Sequence, residues 1–136
     1  MISISKEEIR NRILAVSAMH YRTSSERPAI LTRDSREALD ELISASWSET
    51  ISMCPGLVAG WEEEGDLITA EISGNRAEKP TRALLESVLF HLVLARSYGL
   101  SHPDFASIHF KEVSGIIEGL RESSGDNTPT RIKDGF

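Results

Sequence analysis

Apolar residues recur every three or four positions over four stretches of the chain, and a fifth stretch changes to a shorter period. The first helical stretch covers about residues 6–21. Ile9, Ile13, Val16 and His20 fall at helical spacing, with Leu14, Ala18 and Tyr21 beside them. Ser5 followed by Glu8 is a capping box at its start. Glu7, Arg10 and Arg12 are expected mostly on the opposite, polar side. Residues 22–33 read as a loop: Ser24 and Ser25 break the pattern, and Pro28 biases Arg27 towards extended backbone. Ala29 to Leu31 are apolar and suited to tuck against the domain.

A second helix is predicted over about 35–53. Asp34 is a good N-cap with Glu37 at the third helical position. Ala38, Leu39, Leu42, Ile43, Ser46, Trp47, Ile51 and Met53 give an imperfect stripe, and Pro55-Gly56 ends it. The period then shifts. Leu57 to Trp61, the acidic turn Glu62-Glu63-Glu64-Gly65-Asp66, and the β-rich run Leu67 to Ile72 predict a hairpin over about 57–72. A lone hairpin is marginal in water, so this one must lean on the helices or on a neighbour.

The third helix, about 80–98, opens at Pro80 and stops at Gly99. Leu84, Leu85, Val88, Leu89, Phe90, Leu92, Val93 and Leu94 leave it apolar almost all round, which predicts a buried central helix or one shared with a partner. The fourth, about 103–122, starts near Pro103 and Asp104. It carries one stripe of Phe105, Ile108, His109, Val113, Ile116, Ile117 and Leu120. The short link between these two predicts an antiparallel pair. The expected architecture is mainly α: a four-helix core with a small β-hairpin in one domain, 1–122, followed by an extended C-terminal arm, 123–136. The arm, SSGDNTPTRIKDGF, is polar, and Ile132 and Phe136 are its apolar anchors.

Composition narrows the function classes. The chain of 136 residues has 40% hydrophobic and 26% charged residues, an ordinary globular balance for one domain. The net charge of −6 disfavours general or sequence-specific binding to nucleic acid and adhesion to anionic membranes. The apolar run Ala83 to Ala95 is too short to span a bilayer. The N-terminus lacks the basic start and long apolar stretch of a signal peptide, so synthesis in the cytoplasm is expected. One cysteine, Cys54, excludes an internal disulfide and reads as a small buried residue.

Catalytic patterns are missing. His20, His91, His102 and His109 include no i, i+4 pair, and no HExxH, GxSxG, GxGxxG or GxxxxGK[ST] occurs. His91 reads as a core or interface residue with a partner for its nitrogen. The cluster Glu62, Glu63, Glu64 and Asp66 lacks EF-hand spacing and reads as a solvated turn. No catalytic, cofactor or metal residue is therefore assigned, and a non-enzymatic role is expected. Trp47 and Trp61 flank the break before the hairpin; core filling and an interface position are both open to them.

The layout resembles that of the small head-to-tail connector proteins of tailed bacteriophages, also called adaptor, head-completion or neck proteins. The segment ITAEISGN…RALLESVLFHLVLARSYGL carries most of the likeness, as a strand followed by a long apolar helix. The arm SSGDNTPTRIKDGF is similar to those by which such subunits reach the portal or a neighbour. The likeness is one of pattern and spans roughly residues 36–136. It implies a ring of identical subunits, twelve-fold in the connector case, docked on a portal protein and meeting other neck or tail proteins in the virion. It brings no catalytic residues. Trp61, Arg131, Ile132, Lys133 and Phe136 are the expected partner contacts. The competing readings are a small cytoplasmic helical module that binds a regulatory or host protein, and an enzyme whose site follows no familiar pattern.

Overall fold

A computed structural model describes residues 1–23, 36–74, 76–99 and 103–122, with the side chains of 17–23 and of Glu122 left aside. The elements run β1 (Ile2–Ser5), α1 (Lys6–Thr23), α2 (Arg36–Met53), β2 (Val58–Glu64), β3 (Leu67–Ile72), α3 (Glu78–Tyr98) and α4 (Pro103–Glu122). The mainly helical architecture with a small antiparallel sheet agrees with the expectation from the hydrophobic pattern. Asp34, Ala29 to Leu31, His20, His102 and the arm 123–136 lie outside the described residues or side chains.

The sheet has three strands where the sequence predicted two. Residues 2–5 form β1, which pairs antiparallel with β3 through Ile2↔Ala70, Ser3↔Thr69, Ile4↔Ile68 and Ser5↔Leu67. The alternation Ile-Ser-Ile-Ser is the period of a half-buried strand, but four residues give too short a signal to stand alone. Ile2 and Ile4 are buried with Ile68 and Ala70 on the face turned to the helices. Ser5 caps α1 at the junction: the Glu8 amide donates to Ser5 Oγ at 3.2 Å, the serine half of the expected capping box. The strand order is β1-β3-β2, so β2 forms a margin of the sheet. A bulge lies between Val58 and Gly60.

α3 is the centre of the fold. It packs on α4, α2, α1 and β1, and Leu85, Val88, Leu89, Phe90, Leu92, Val93, Leu94, Ala95 and Tyr98 are buried. The apolar circumference is thus covered within one chain except at Leu84, which stays 40% exposed. Pro80 stands third in the helix, after Glu78 and Lys79, rather than first. It still lies in the first turn, where no intrahelical amide bond is needed. At the other end Gly99 donates its amide to the Ala95 carbonyl at 2.8 Å and takes a φ of 30°, a region that suits glycine.

α4 runs antiparallel to α3. Tyr98 stacks edge-on with Phe105 at 5.5 Å, and His91 meets His109 further along. Arg76, just before α3, donates to the Leu120 carbonyl at 3.1 Å. Ala106, Val113, Ile117 and Leu120 form the buried stripe. Ile108 departs from the expected stripe and is 55% exposed. Its position is one residue off the face that meets α3.

Candidate interaction surface

The hairpin is fixed to the helices by a polar network that begins on α1. Lys6, Ile9, Arg10 and Ile13 follow the i, i+3, i+4, i+7 spacing of one helix face, and all four are buried. Arg10 was expected on the polar side. It points inward instead, because three carboxylates await the cations there. Arg10 Nη1 donates to Asp40 Oδ1 on α2 at 2.6 Å and to Asp66 Oδ1 in the hairpin turn at 3.2 Å. Lys6 Nζ and Ser44 Oγ both donate to Glu63 Oε2, and the Lys6 amide bonds to the Asp66 carbonyl at 2.8 Å. Arg36 adds a longer contact of 3.5 Å to Asp66.

The acidic turn is therefore only half solvated. Glu62 and Glu64 face water as expected, while Glu63 and Asp66 reach back to buried cations. Burial acts to raise the Glu63 carboxyl, but hydrogen bonds from Lys6 and Ser44 and the ammonium charge prevail and hold it below the ordinary range. The Arg10 hydrogen bond and charge lower Asp66. Burial works against the Arg10 cation, and Asp66 and Asp40 more than offset it. A groove of about 220 Å³ beside this network is lined by Glu7, Arg10, Asn11, Leu14, Arg36 and Leu39. Arg10 and Arg36 there already face carboxylates, so the groove offers an anion little unpaired charge.

The register decides which way β2 presents its side chains. Directly opposed residues share a face of an antiparallel pair. Trp61 opposes Ala70 and Glu63 opposes Ile68, so both sit on the inner face with Ile2 and Ile4. Glu62 opposes Thr69 and Glu64 opposes Leu67, on the outer face with Ser3 and Ser5. Trp61 meets Trp47 of α2 edge-to-face at 6.0 Å. Trp47 is fully buried, whereas Trp61 remains 40% exposed because no strand lies beyond it among the described residues. Of the two roles held open for the tryptophans, core filling holds for Trp47, while Trp61 stands at the rim of the core.

A second polar cluster lies between α3, α4 and α1. His91 Nδ1 and His109 Nδ1 are 2.8 Å apart, so one donates to the other. Phe90 stacks on both rings, and the Arg12 guanidinium sits over Phe90 at 4.4 Å. Burial lowers His91, with Arg12 acting the same way and Glu112 opposing. Cys54 is buried as expected, and burial raises its thiol. Among the described residues no three His, Cys, Asp or Glu side chains are grouped to hold a metal ion. None of the described helices is long and apolar enough to cross a membrane.

Of the expected contact residues, Trp61 lies at the margin of the sheet, and Arg131, Ile132, Lys133 and Phe136 lie outside the described residues. The sequence reading missed Lys6, Arg10, Asp40, Glu63 and Asp66 as a unit. The i, i+4 placement of Lys6 and Arg10 within the stripe of Ile9 and Ile13 was the available signal. No family model, no curated protein and no solved structure matches the chain.

Proposed function

We propose that this protein acts by assembly rather than by catalysis, as a head-to-tail connector subunit that forms a ring on the portal in a phage neck. The observation that carries the reading is β2. It is a marginal strand, exposed from Ala59 to Glu64, with a half-covered tryptophan on its inner face. Proteins usually shorten, cover or twist away such an edge, because its free amides and carbonyls invite another strand. Here the edge carries a bulge and three glutamates, which limit casual pairing, but no strand among the described residues covers it, and Lys6 and Arg10 hold its turn end in place.

Two features that had suggested a partner are met inside the chain. α3 is buried by its own neighbours apart from Leu84, and the hairpin is supported by β1 and α2. The case therefore rests on the edge, on exposed apolar side chains such as Ile108 and Phe110 of α4, and on the resemblance in layout. The partners would be further copies of the chain, the portal protein and other neck or tail proteins, with the subunit made in the host cytoplasm and carried in the virion.

The mass of the purified full-length protein, alone and mixed with the portal protein of the same genome, tests the reading. A ring, or a portal-bound complex of several copies, is expected. A monomer at every concentration that ignores the portal would remove the connector reading. A small protein-binding helical module would then be the better description.

A further inference from the structure

We propose that His91 and His109 form an acid-sensitive latch, which holds α4 on α3 until the pair takes up its second proton. The latch is independent of the assembly reading and stands on the geometry where α1, α3 and α4 meet.

The two Nδ1 atoms are 2.8 Å apart. The ring centroids are 5.1 Å apart, close to that separation plus one ring radius at each end. The nitrogens therefore point straight at one another, and a single hydrogen lies between them. One histidine carries its hydrogen on Nδ1 and donates. The other has a bare Nδ1 and carries its hydrogen on Nε2. Both residues are half-buried, so protons reach the pair from water.

This arrangement treats a first and a second proton differently. The first goes to the bare Nε2 of the donor. The bond survives and strengthens, since its donor is now an imidazolium. The second has one place left, the bare Nδ1 of the acceptor. There it sets N–H against N–H, and one positive charge against another at hydrogen-bond distance. The bond between the helices gives way to repulsion, so the pair titrates in two separated steps.

The surroundings tolerate one charge better than two. Burial disfavours a charge on His91, Glu112 of α4 favours it, and the Arg12 guanidinium of α1 opposes it. One turn to either side of His91 on α3 stand Ser87, Val88, Leu94 and Ala95, none of them charged. Phe90 lies edge-on to both imidazoles, with Arg12 over its ring, and takes the place of water on that side. One carboxylate thus stands against two imidazolium charges and an arginine. Release would uncover the apolar stripe of Ala106, Val113 and Ile117, beside the exposed Ile108 and Phe110.

Nuclear magnetic resonance of the histidine ring nitrogens in the full-length protein, from about pH 8 to 4.5, tests the latch. Glu63 and Asp66 are held below the ordinary carboxylate range, so the hairpin clamp stays ionised over that window. Near pH 8 the two rings are expected in opposite tautomers. On acidification they are expected to titrate in two steps more than about one pH unit apart. Hydrogen exchange reads the release. Between about pH 6.5 and the second step, protection of amides 106–113 is expected to fall about tenfold per pH unit, ahead of α2, because opening takes up one proton.

His109→Asn and His91→Asn each put an amide where Nδ1 stood, which bonds to a neutral or a charged imidazole alike. Circular dichroism checks that each variant folds. In either one the remaining histidine is expected to titrate in a single step, and the slope in α4 to vanish. The latch is overturned by two rings in the same tautomer, by coincident steps in wild type, or by α4 and α2 losing protection together. A slope that persists in a folded asparagine variant overturns it as well, and the wild-type measurements decide if neither variant folds.

Discussion

Arg10→Ala examines the clamp that holds the hairpin. The Arg10 side chain is 6% exposed, and its guanidinium makes hydrogen bonds of 2.6 Å to Asp40 and of 3.2 Å and 3.5 Å to Asp66. Removing one partner of a fully buried ion pair costs about 3–5 kcal/mol, because the abandoned charge stays desolvated. Here the abandoned carboxylates are better placed: the side chains of Asp40 and Asp66 retain 32% and 47% of their exposure and can take up water. That lowers the electrostatic loss. The buried aliphatic stem of Arg10 adds a packing loss in compensation. We expect a net destabilisation of about 2–3 kcal/mol. With an unfolding entropy of about 2.1 cal/mol/K per residue, a chain of 136 residues should lose about 7–10 °C in Tm. Thermal unfolding followed by far-ultraviolet circular dichroism gives the total, and hydrogen exchange over residues 58–72 gives the location. Arg10→Met should recover the packing share and leave the electrostatic share. Glu7→Ala, on the exposed side of the same helix, should change stability by less than about 0.5 kcal/mol. If Arg10→Ala proves as mild as Glu7→Ala, or if the faster exchange appears in α4 instead of the hairpin, the clamp is misassigned.

Three further outcomes follow from other parts of the fold. Trp47 is fully buried and its Nε1 has no hydrogen-bond partner among the described residues. Trp47→Ala should therefore cost about 3–5 kcal/mol, and Trp47→Phe much less, since losing an unpaired buried N–H offsets part of the lost volume; chemical denaturation distinguishes the two. His91 is held below the ordinary histidine value of 6.5, chiefly by burial, so the unfolded chain binds its proton first as pH falls. Its contribution is complete above pH 6.5 and fades as pH drops towards the folded value. Unfolding curves between pH 7.5 and 5 should show wild type losing stability in that window, with a smaller loss for His91→Gln. Gly65 holds a φ of +59° at the first loop position of the hairpin with open space about it; Gly65→Ala should cost about 1 kcal/mol through backbone strain alone, whereas a loss within experimental error would indicate that the turn relaxes.

The helices were legible because each carries enough turns for its apolar spacing to repeat. α2 begins at Arg36 and α4 spans Pro103–Glu122, close to where caps and prolines had placed them. β1 was not legible, since an Ile-Ser-Ile-Ser tetrapeptide ahead of a capping serine reads equally well as a leader to the helix. Its strand identity comes from Leu67 to Ala70, more than sixty positions away. Arg10 misled, and Lys6 went unnoticed, for a related reason. Hydrophobic patterning sorts cations to the outside, and only the arrival of Asp40, Glu63 and Asp66 from other elements makes the inside tenable. The histidine pair is also non-local: spacing within each helix gave no motif, and packing brought His91 to His109. At the candidate surface, Trp61 was singled out from sequence, but the facing of Glu62 and Glu64 away from Glu63 required the register of the sheet.

The pairing of β1 with β3 also orders events at the ribosome. The first strand to emerge has no place to dock until residues 67–70 have followed it out, with α1 and α2 made in between. Closing so long a loop is entropically slow. During synthesis the two isoleucines of β1 must wait uncovered while the intervening helices form. A bulky tag fused directly ahead of Met1 would crowd the strand's entry beside β3, so a tag at the opposite terminus, or a long spacer, suits production of the folded chain.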